Sequence, residues 1–328
     1  MSDEKKVLLK VRNLTKEFTL KANKFGEKPQ ILHALNDVSI DIYEGETLGV
    51  IGESGCGKST FGKTIIQLHK ATKGIVEYDG TNIFQLKGSE LKRLKRDIQM
   101  VFQDPYSSLD PRKTAFKLIE EPLLVHKLIP NKKEREEKVL SLLREVGLDI
   151  HHAHRFPHEF SGGQRQRINV ARALSMNPKL IVCDEPVSAL DVSVQAQVLN
   201  LFNRLQKEHN LTYIFISHDL GVIKHISDRI AIMYLGRIVE LCDAKTIYDN
   251  PLHPYTKALL SAIPKESPFE KKERIVLKGE IPSPIGDQIG CPLAGRCPHC
   301  KEECKHNIPQ LQEVEEGHQV ACFLYNKE

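Results

Sequence analysis

GESGCGKST, residues 52–60, fits the spacing G-x-x-x-x-G-K-[ST]. It follows the short apolar run ETLGVI (46–51) and opens a helix-like run from Lys58 to about Leu68. That strand–turn–helix setting gives the spacing its meaning. Gly52, Gly55 and Gly57 let backbone N–H groups turn inward around phosphate oxygens, with Glu53, Ser54, Cys56 and Thr60 completing the loop. The helix aims its positive end at the same anion. Lys58 supplies a point charge for the terminal phosphates, and Ser59 a hydroxyl that suits Mg²⁺.

Working outward, LIVCDE (180–185) supplies the other half of a nucleotide site. Four apolar residues read as a buried strand, and Asp184 and Glu185 emerge at its carboxyl end, where α/β sheets bind ligands. Asp184 suits Mg²⁺, and Glu185 is placed to orient or deprotonate an attacking water. Further strand-like runs are IQMVF (98–102), TYIFIS (212–217) and RIAIMYLG (229–236), and long amphipathic stretches fill 114–147. The alternation predicts an α/β fold, a mainly parallel sheet with helices on both faces.

Prolines 251, 254, 264, 268, 282 and 284 then break the periodicity. The expected division is a nucleotide-binding domain over 1–263, with a helical subdomain at about 104–177, and a small cysteine-bearing extension over 264–328. No window approaches the roughly 18 consecutive apolar residues that span a bilayer, and MSDEKKVLLK has no apolar core, so a cytosolic chain is expected. The net charge is +4, and residues 264–328 hold nine Lys and Arg against eleven Asp and Glu, so the tail is no basic arm for nucleic acid. Four of the eight cysteines fall within 290–304; in a cytosolic chain such clusters bind metal or do redox chemistry more often than they form disulfides.

FSGGQRQR (160–167) resembles the LSGGQ signature of the ATP-binding cassette (ABC) ATPases, with Phe160 in place of Leu. Gln103 in MVFQDP resembles that family's Q-loop glutamine, SALD (188–191) its D-loop, and His218 in ISHDL its switch histidine. The resemblance covers about residues 8–261. Ser161 reads as an N-cap followed by Gly162 and Gly163, an anion site at a helix start. The resemblance implies that this segment, with Gln164, reaches the γ-phosphate of ATP on a partner's phosphate loop, so that two cassettes sandwich two ATPs. It also implies that Asp191 lies at that interface, that His218 contacts the γ-phosphate, and that Gln103 touches Mg²⁺ or water. An early aromatic residue would stack on adenine. Phe18 is the candidate, with a buried core phenylalanine as the other reading.

YEGETLGVIGESGCGKST, QDPYSSLDPR and FSGGQRQR are similar to the ATPase subunits of oligopeptide and dipeptide importers, and the ESGCGKS loop favours the F type over its D partner. This implies a second ATPase subunit, like or unlike, two membrane permeases near residues 106–112, an extracytoplasmic peptide-binding protein, and a peripheral place on the cytoplasmic face of the membrane. Uptake of another solute such as nickel, an ABC ATPase outside transport, and a metal- or redox-sensing regulator are the competing readings. The importer family also carries a cysteine tail, whose pattern Cys291, Cys297, Cys304 and Cys322 fit and Cys300 does not. Four thiolates suit zinc or an iron–sulfur cluster; the resemblance implies a [4Fe-4S] cluster, with zinc, or free or disulfide-bonded cysteines, as alternatives. Cys300 could stand in for Cys304. Cys183, Cys56 and Cys242 read as packing residues.

Overall fold

A computed structural model describes residues 5–20, 29–263, 274–286 and 288–326. The chain forms two compact units: one is mainly Asn82–Ser217, the other Val7–Ile42, Leu48–Thr81 and His218–Glu328 in their described parts.

In the first unit, strands Ile98–Val101, Leu180–Asp184 and Thr212–Ser217 run parallel, with Val182 paired to Met100 and to Ile214. Every residue of the second and third strands is buried, as a near-continuous apolar run in a parallel sheet requires. The run 114–147 divides into helices Ala115–Val125 and Lys132–Glu145, and Lys127 takes a left-handed turn between them. A buried pair ties the two: Arg135 Nε donates to Glu120 Oε1 at 2.8 Å. Helix Gly162–Leu174 packs in the same unit as helix Val192–His209.

The second unit holds an antiparallel sheet that sequence periodicity did not predict. Strands Val7–Leu20, Gln30–Tyr43 and Lys73–Tyr78 contribute, with the first in the middle. Its register pairs Leu9 with Tyr78 and Val11 with Val76, putting Leu9 and Val11 in the core. The fold is therefore mixed α/β rather than mainly parallel. Leu48–Ile51 pair in parallel with strand Arg229–Tyr234. That strand stops two residues short of the sequence expectation, because Leu235 and Gly236 turn through positive φ into the antiparallel strand Arg237–Asp243.

The two units do not part at residue 264. The described part of the tail lies in the same unit as the phosphate loop, and its hairpin, Gln312–Glu315 with His318–Val320, pairs with strand Arg237–Asp243 through Glu240–Val320 and Leu241–Gln319. A tail with a small core of its own gains one by adding strands to an existing sheet; Leu293 and Val320 are buried there.

Candidate functional site: a phosphate loop and a strand-end carboxylate

The loop expected to hold phosphates joins strand Thr47–Ile51 to helix Lys58–Ile65. Its three glycines differ in what holds them. A Cβ on Gly52 would lie 2.2 Å from the Met233 carbonyl oxygen, and Gly57 has φ +105° with its Cβ position 2.3 Å from the Ala34 carbonyl oxygen. Gly55 has open space around its Cβ position, so only its backbone, at φ +80°, calls for glycine. The loop is also bonded from outside, since Gly236 N–H donates to the Cys56 carbonyl at 2.8 Å. The Lys58 ammonium is buried within it and donates to the carbonyls of Gly52 (2.6 Å) and Glu53 (3.0 Å). Burial pushes the Cys56 thiol up, against the opposing pull of Lys58, so this cysteine is a packing residue.

Phe18 lies in the same unit and is half-buried, not a core residue. Its ring meets that of His69 edge-on at 5.3 Å, and the Lys16 ammonium sits 4.5 Å above it. His218 lies in this unit too, just ahead of helix Leu220–Ile226, which Asp219 caps by accepting from Gly221 N–H at 2.7 Å.

In the first unit, Asp184 ends its strand fully buried, and Glu185 follows at φ +45°. A β-strand cannot continue through that conformation, so the chain turns and the carboxylate leaves the sheet. Gln103 Nε2 donates to Glu185 Oε2 at 2.9 Å, joining two of the three residues expected to serve catalysis. Ser188 supports the turn, its hydroxyl donating to the Glu185 carbonyl at 3.0 Å.

Ser161 does cap helix Gly162–Leu174, but its hydroxyl is engaged. It accepts from Gln164 N–H at 3.3 Å, while Gln164 Oε1 accepts from Ser161 N–H at 3.0 Å. The Gln164 side chain thus serves its own helix. Gly163 needs its missing Cβ, because that position lies 2.4 Å from a Val194 methyl group on helix Val192–His209. Asp191 occupies the N-cap position of that helix and is exposed, as is the adjacent Val192, at 82%. The same signature helix holds the segment after Gln103. The Arg165 guanidinium lies 3.5 Å from the Tyr106 ring centre, Arg172 Nη1 donates to the Ser108 carbonyl at 2.6 Å, and Ser108 Oγ donates to Asn169 Oδ1 at 3.1 Å.

In the tail, Cys291, Cys297, Cys304 and Cys322 line one small pocket with His253, Leu293 and Phe323, while Cys300 is exposed and outside it. Burial pushes the Cys291 thiol up to about 11, and negative charge on Cys304, Cys322 and Cys297 adds to the rise. Burial likewise raises Cys297 and Cys322. Among the described residues no three cysteine sulfurs lie within 4.8 Å of one another.

A buried polar node escaped the sequence reading. The Glu240 carboxylate accepts from Leu252 N–H (2.7 Å) and His253 N–H (3.0 Å), and its Oε1 lies 2.8 Å from His318 Nε2. His253 Nδ1 in turn accepts from Tyr255 N–H at 3.2 Å, and the Tyr255 hydroxyl accepts from Glu53 N–H at 2.9 Å. The HPY triplet at 253–255 was the available signal, a capping side chain ahead of a proline at a helix start.

The family described as ABC transporter matches residues 35–188, and the family described as Oligopeptide/dipeptide transporter, C-terminal region, matches 239–304. The chain is 52% identical to the oligopeptide transport ATP-binding protein AppF of Bacillus subtilis, over 97% of this chain and 98% of that protein. It is 50% identical to OppF of Salmonella typhimurium over 98% and 97%, respectively. Among solved structures, the ATP-binding cassette MJ0796, a dimer in a post-hydrolysis state bound to ADP and Pi, aligns with a TM-score of 0.63 at 34% identity, covering 72% of this chain and 98% of that one. By near-full-length identity, and by family matches over both the cassette and the tail, the chain belongs to the ATP-binding proteins of the oligopeptide and dipeptide ABC transporters and is an ABC ATPase.

Proposed function

We propose that the chain hydrolyses ATP to drive uptake of di- and oligopeptides, as the F-type ATPase of an importer. The observation that carries the chemistry is Glu185, turned out of its strand at positive φ with Gln103 bonded to its carboxylate. Glu185 takes a proton from the water as its oxygen attacks the γ-phosphorus, and ADP leaves with the electrons of the broken P–O bond. Lys58 holds the terminal phosphates, exchanging its present carbonyl partners for phosphate oxygens, and the Gly52–Thr60 backbone cradles them. Ser59, Asp184 and Gln103 are the residues that would hold Mg²⁺, which neutralises charge on the phosphates. His218 faces the γ-phosphate, and Phe18 offers its half-buried ring to adenine.

A second cassette supplies Ser161, Gly162, Gly163 and Gln164 to the far side of the nucleotide, with Asp191 at the contact; the exposed Asp191 and Val192 support this. Tyr106, 62% exposed, lies in the segment that would meet two membrane permeases. No helix among the described residues is long and apolar enough to cross a membrane; the permeases would hold the chain to the cytoplasmic face. An extracytoplasmic binding protein delivers the peptide. The test is uptake of a labelled tripeptide by vesicles carrying the whole transporter. Glu185→Gln should retain ATP binding and lose at least about 100-fold in phosphate release, with uptake abolished. Wild-type turnover in the variant, or uptake of nickel in place of peptide, overturns the assignment.

The tail thiols fit a metal group, because gathered thiols whose charges raise one another's pKa need a cation to be held as thiolates. The shared pocket lined by Cys291, Cys297, Cys304 and Cys322 supports a [4Fe-4S] cluster on these four thiols, with zinc as the alternative. Anaerobically purified chain should contain iron and sulfide, lose them in Cys304→Ser and keep them in Cys300→Ser. A colourless, zinc-loaded chain overturns the cluster, and loss in Cys300→Ser overturns the ligand set.

A further inference from the structure

Arg296 carries the tail to the phosphate loop. Arg296 lies on the tight turn that begins at Cys291: Ala294 N–H donates to the Cys291 carbonyl at 2.9 Å, and Arg296 N–H and Cys297 N–H both donate to the Leu293 carbonyl at 2.8 Å. From this turn the guanidinium extends inward, with only 10% of the side chain exposed. Its Nη1 donates to Glu53 Oε2 at 3.3 Å and to the Tyr234 hydroxyl at 3.2 Å. Glu53 is the second residue of the phosphate loop. Its N–H is held by the Tyr255 hydroxyl, and its carbonyl shares the Lys58 ammonium.

A carboxylate on a phosphate loop is an electrostatic cost. It stands beside the place where a nucleoside triphosphate brings about four negative charges, and it competes for Lys58. With Glu53 29% exposed and its partner nearly enclosed, water screens the charge only in part, so the guanidinium is the group that offsets it. We propose that Arg296 is a positioning residue for ATP. It holds the Glu53 carboxylate and neutralises it, so that the phosphate loop meets the nucleotide as a net cationic cradle. Arg296 acts through Glu53 and takes no part in the chemical step. This contact gives the cysteine-bearing tail a role in the unit that contains the loop, whatever the thiols hold.

The test is a charge cycle in the full chain, read as ATP Kd by titration with a fluorescent ATP analogue and as kcat at saturating ATP. Arg296→Gln, which leaves Glu53 uncompensated, should weaken ATP binding about tenfold and leave kcat within about twofold. Arg296→Lys should recover most of the loss. Arg296→Gln combined with Glu53→Gln removes both charges and should bind ATP within about threefold of wild type. The single and the double variant lack the same guanidinium, so damage to the fold of the tail would weaken them equally. Unchanged affinity in Arg296→Gln overturns the proposal. So does a double variant as weak as Arg296→Gln alone, and so does a loss that falls on kcat rather than on affinity.

Discussion

His253 does its work neutral. It caps helix Pro254–Ser261 through Nδ1, and burial holds its pKa down to about 4, against the opposing pull of Glu240. The sign follows from where the proton goes. Below about pH 6.5 the unfolded chain binds a proton that folded His253 refuses, so stability present at pH 7 is lost as pH falls toward 4. The full shift is worth about 3 kcal/mol. Urea midpoints at pH 7 and 4.5 should therefore differ by less in His253→Asn, whose side-chain oxygen still caps the helix but takes up no proton. Equal pH dependence in the two chains would show that other groups set the acid limit. At this scale the sequence was legible wherever short spacing encodes chemistry. Lys58 at a helix start, and Asp184 and Glu185 at a strand end, each sit beside a turn and could be placed by counting. Glu240 could not, since a single acid inside RIVELCD looks like a surface residue until strands distant in sequence enclose it.

Among the elements, the tail hairpin shows what local pattern cannot reveal. QEVE and HQV are too short to display a period of two, and Pro309 and Gly317 mark only that the chain turns. Their place on the sheet is fixed by partners about 80 residues earlier, through Glu240–Val320 pairing and the His318–Glu240 contact. The first antiparallel strands were missed for a related reason, because Arg12, Asn13 and Glu17 interrupt the apolar alternation of Val7–Leu20. The hairpin carries its own prediction. Both His318 and Glu240 are buried, so His318→Ala leaves a carboxylate enclosed with one partner fewer, at a cost of about 3 kcal/mol. Limited proteolysis should then cut His318→Ala faster within residues 309–322, with the cassette resistant. Lys305→Ala, which removes only an exposed contact with Glu302, should be cut at the wild-type rate. If His318→Ala is as resistant as wild type, the node does not hold the hairpin.

The whole molecule poses a question of closure. The proposed active site takes the phosphate loop of one cassette and, from another, helix Gly162–Leu174 with its Ser161 cap, and it would turn ATP into an adhesive present only before hydrolysis. The exposed Val192 beside Asp191 is an apolar contact that such a partner would cover. Glu185→Gln removes the proposed proton acceptor yet keeps the shape of the side chain that Gln103 contacts, so bound ATP should persist and hold two cassettes together. Sedimentation velocity should therefore find Glu185→Gln largely dimeric in millimolar MgATP and monomeric in MgADP, either alone or mixed with the second ATPase subunit proposed above. Adding Lys58→Ala should abolish the dimer by removing phosphate binding, and Ser161→Ala should weaken it from the other side by stripping the cap that fixes the signature N–H groups. A dimer equally populated without nucleotide, or one indifferent to Lys58, would mean that the chains associate through another surface and that each site is completed within one chain.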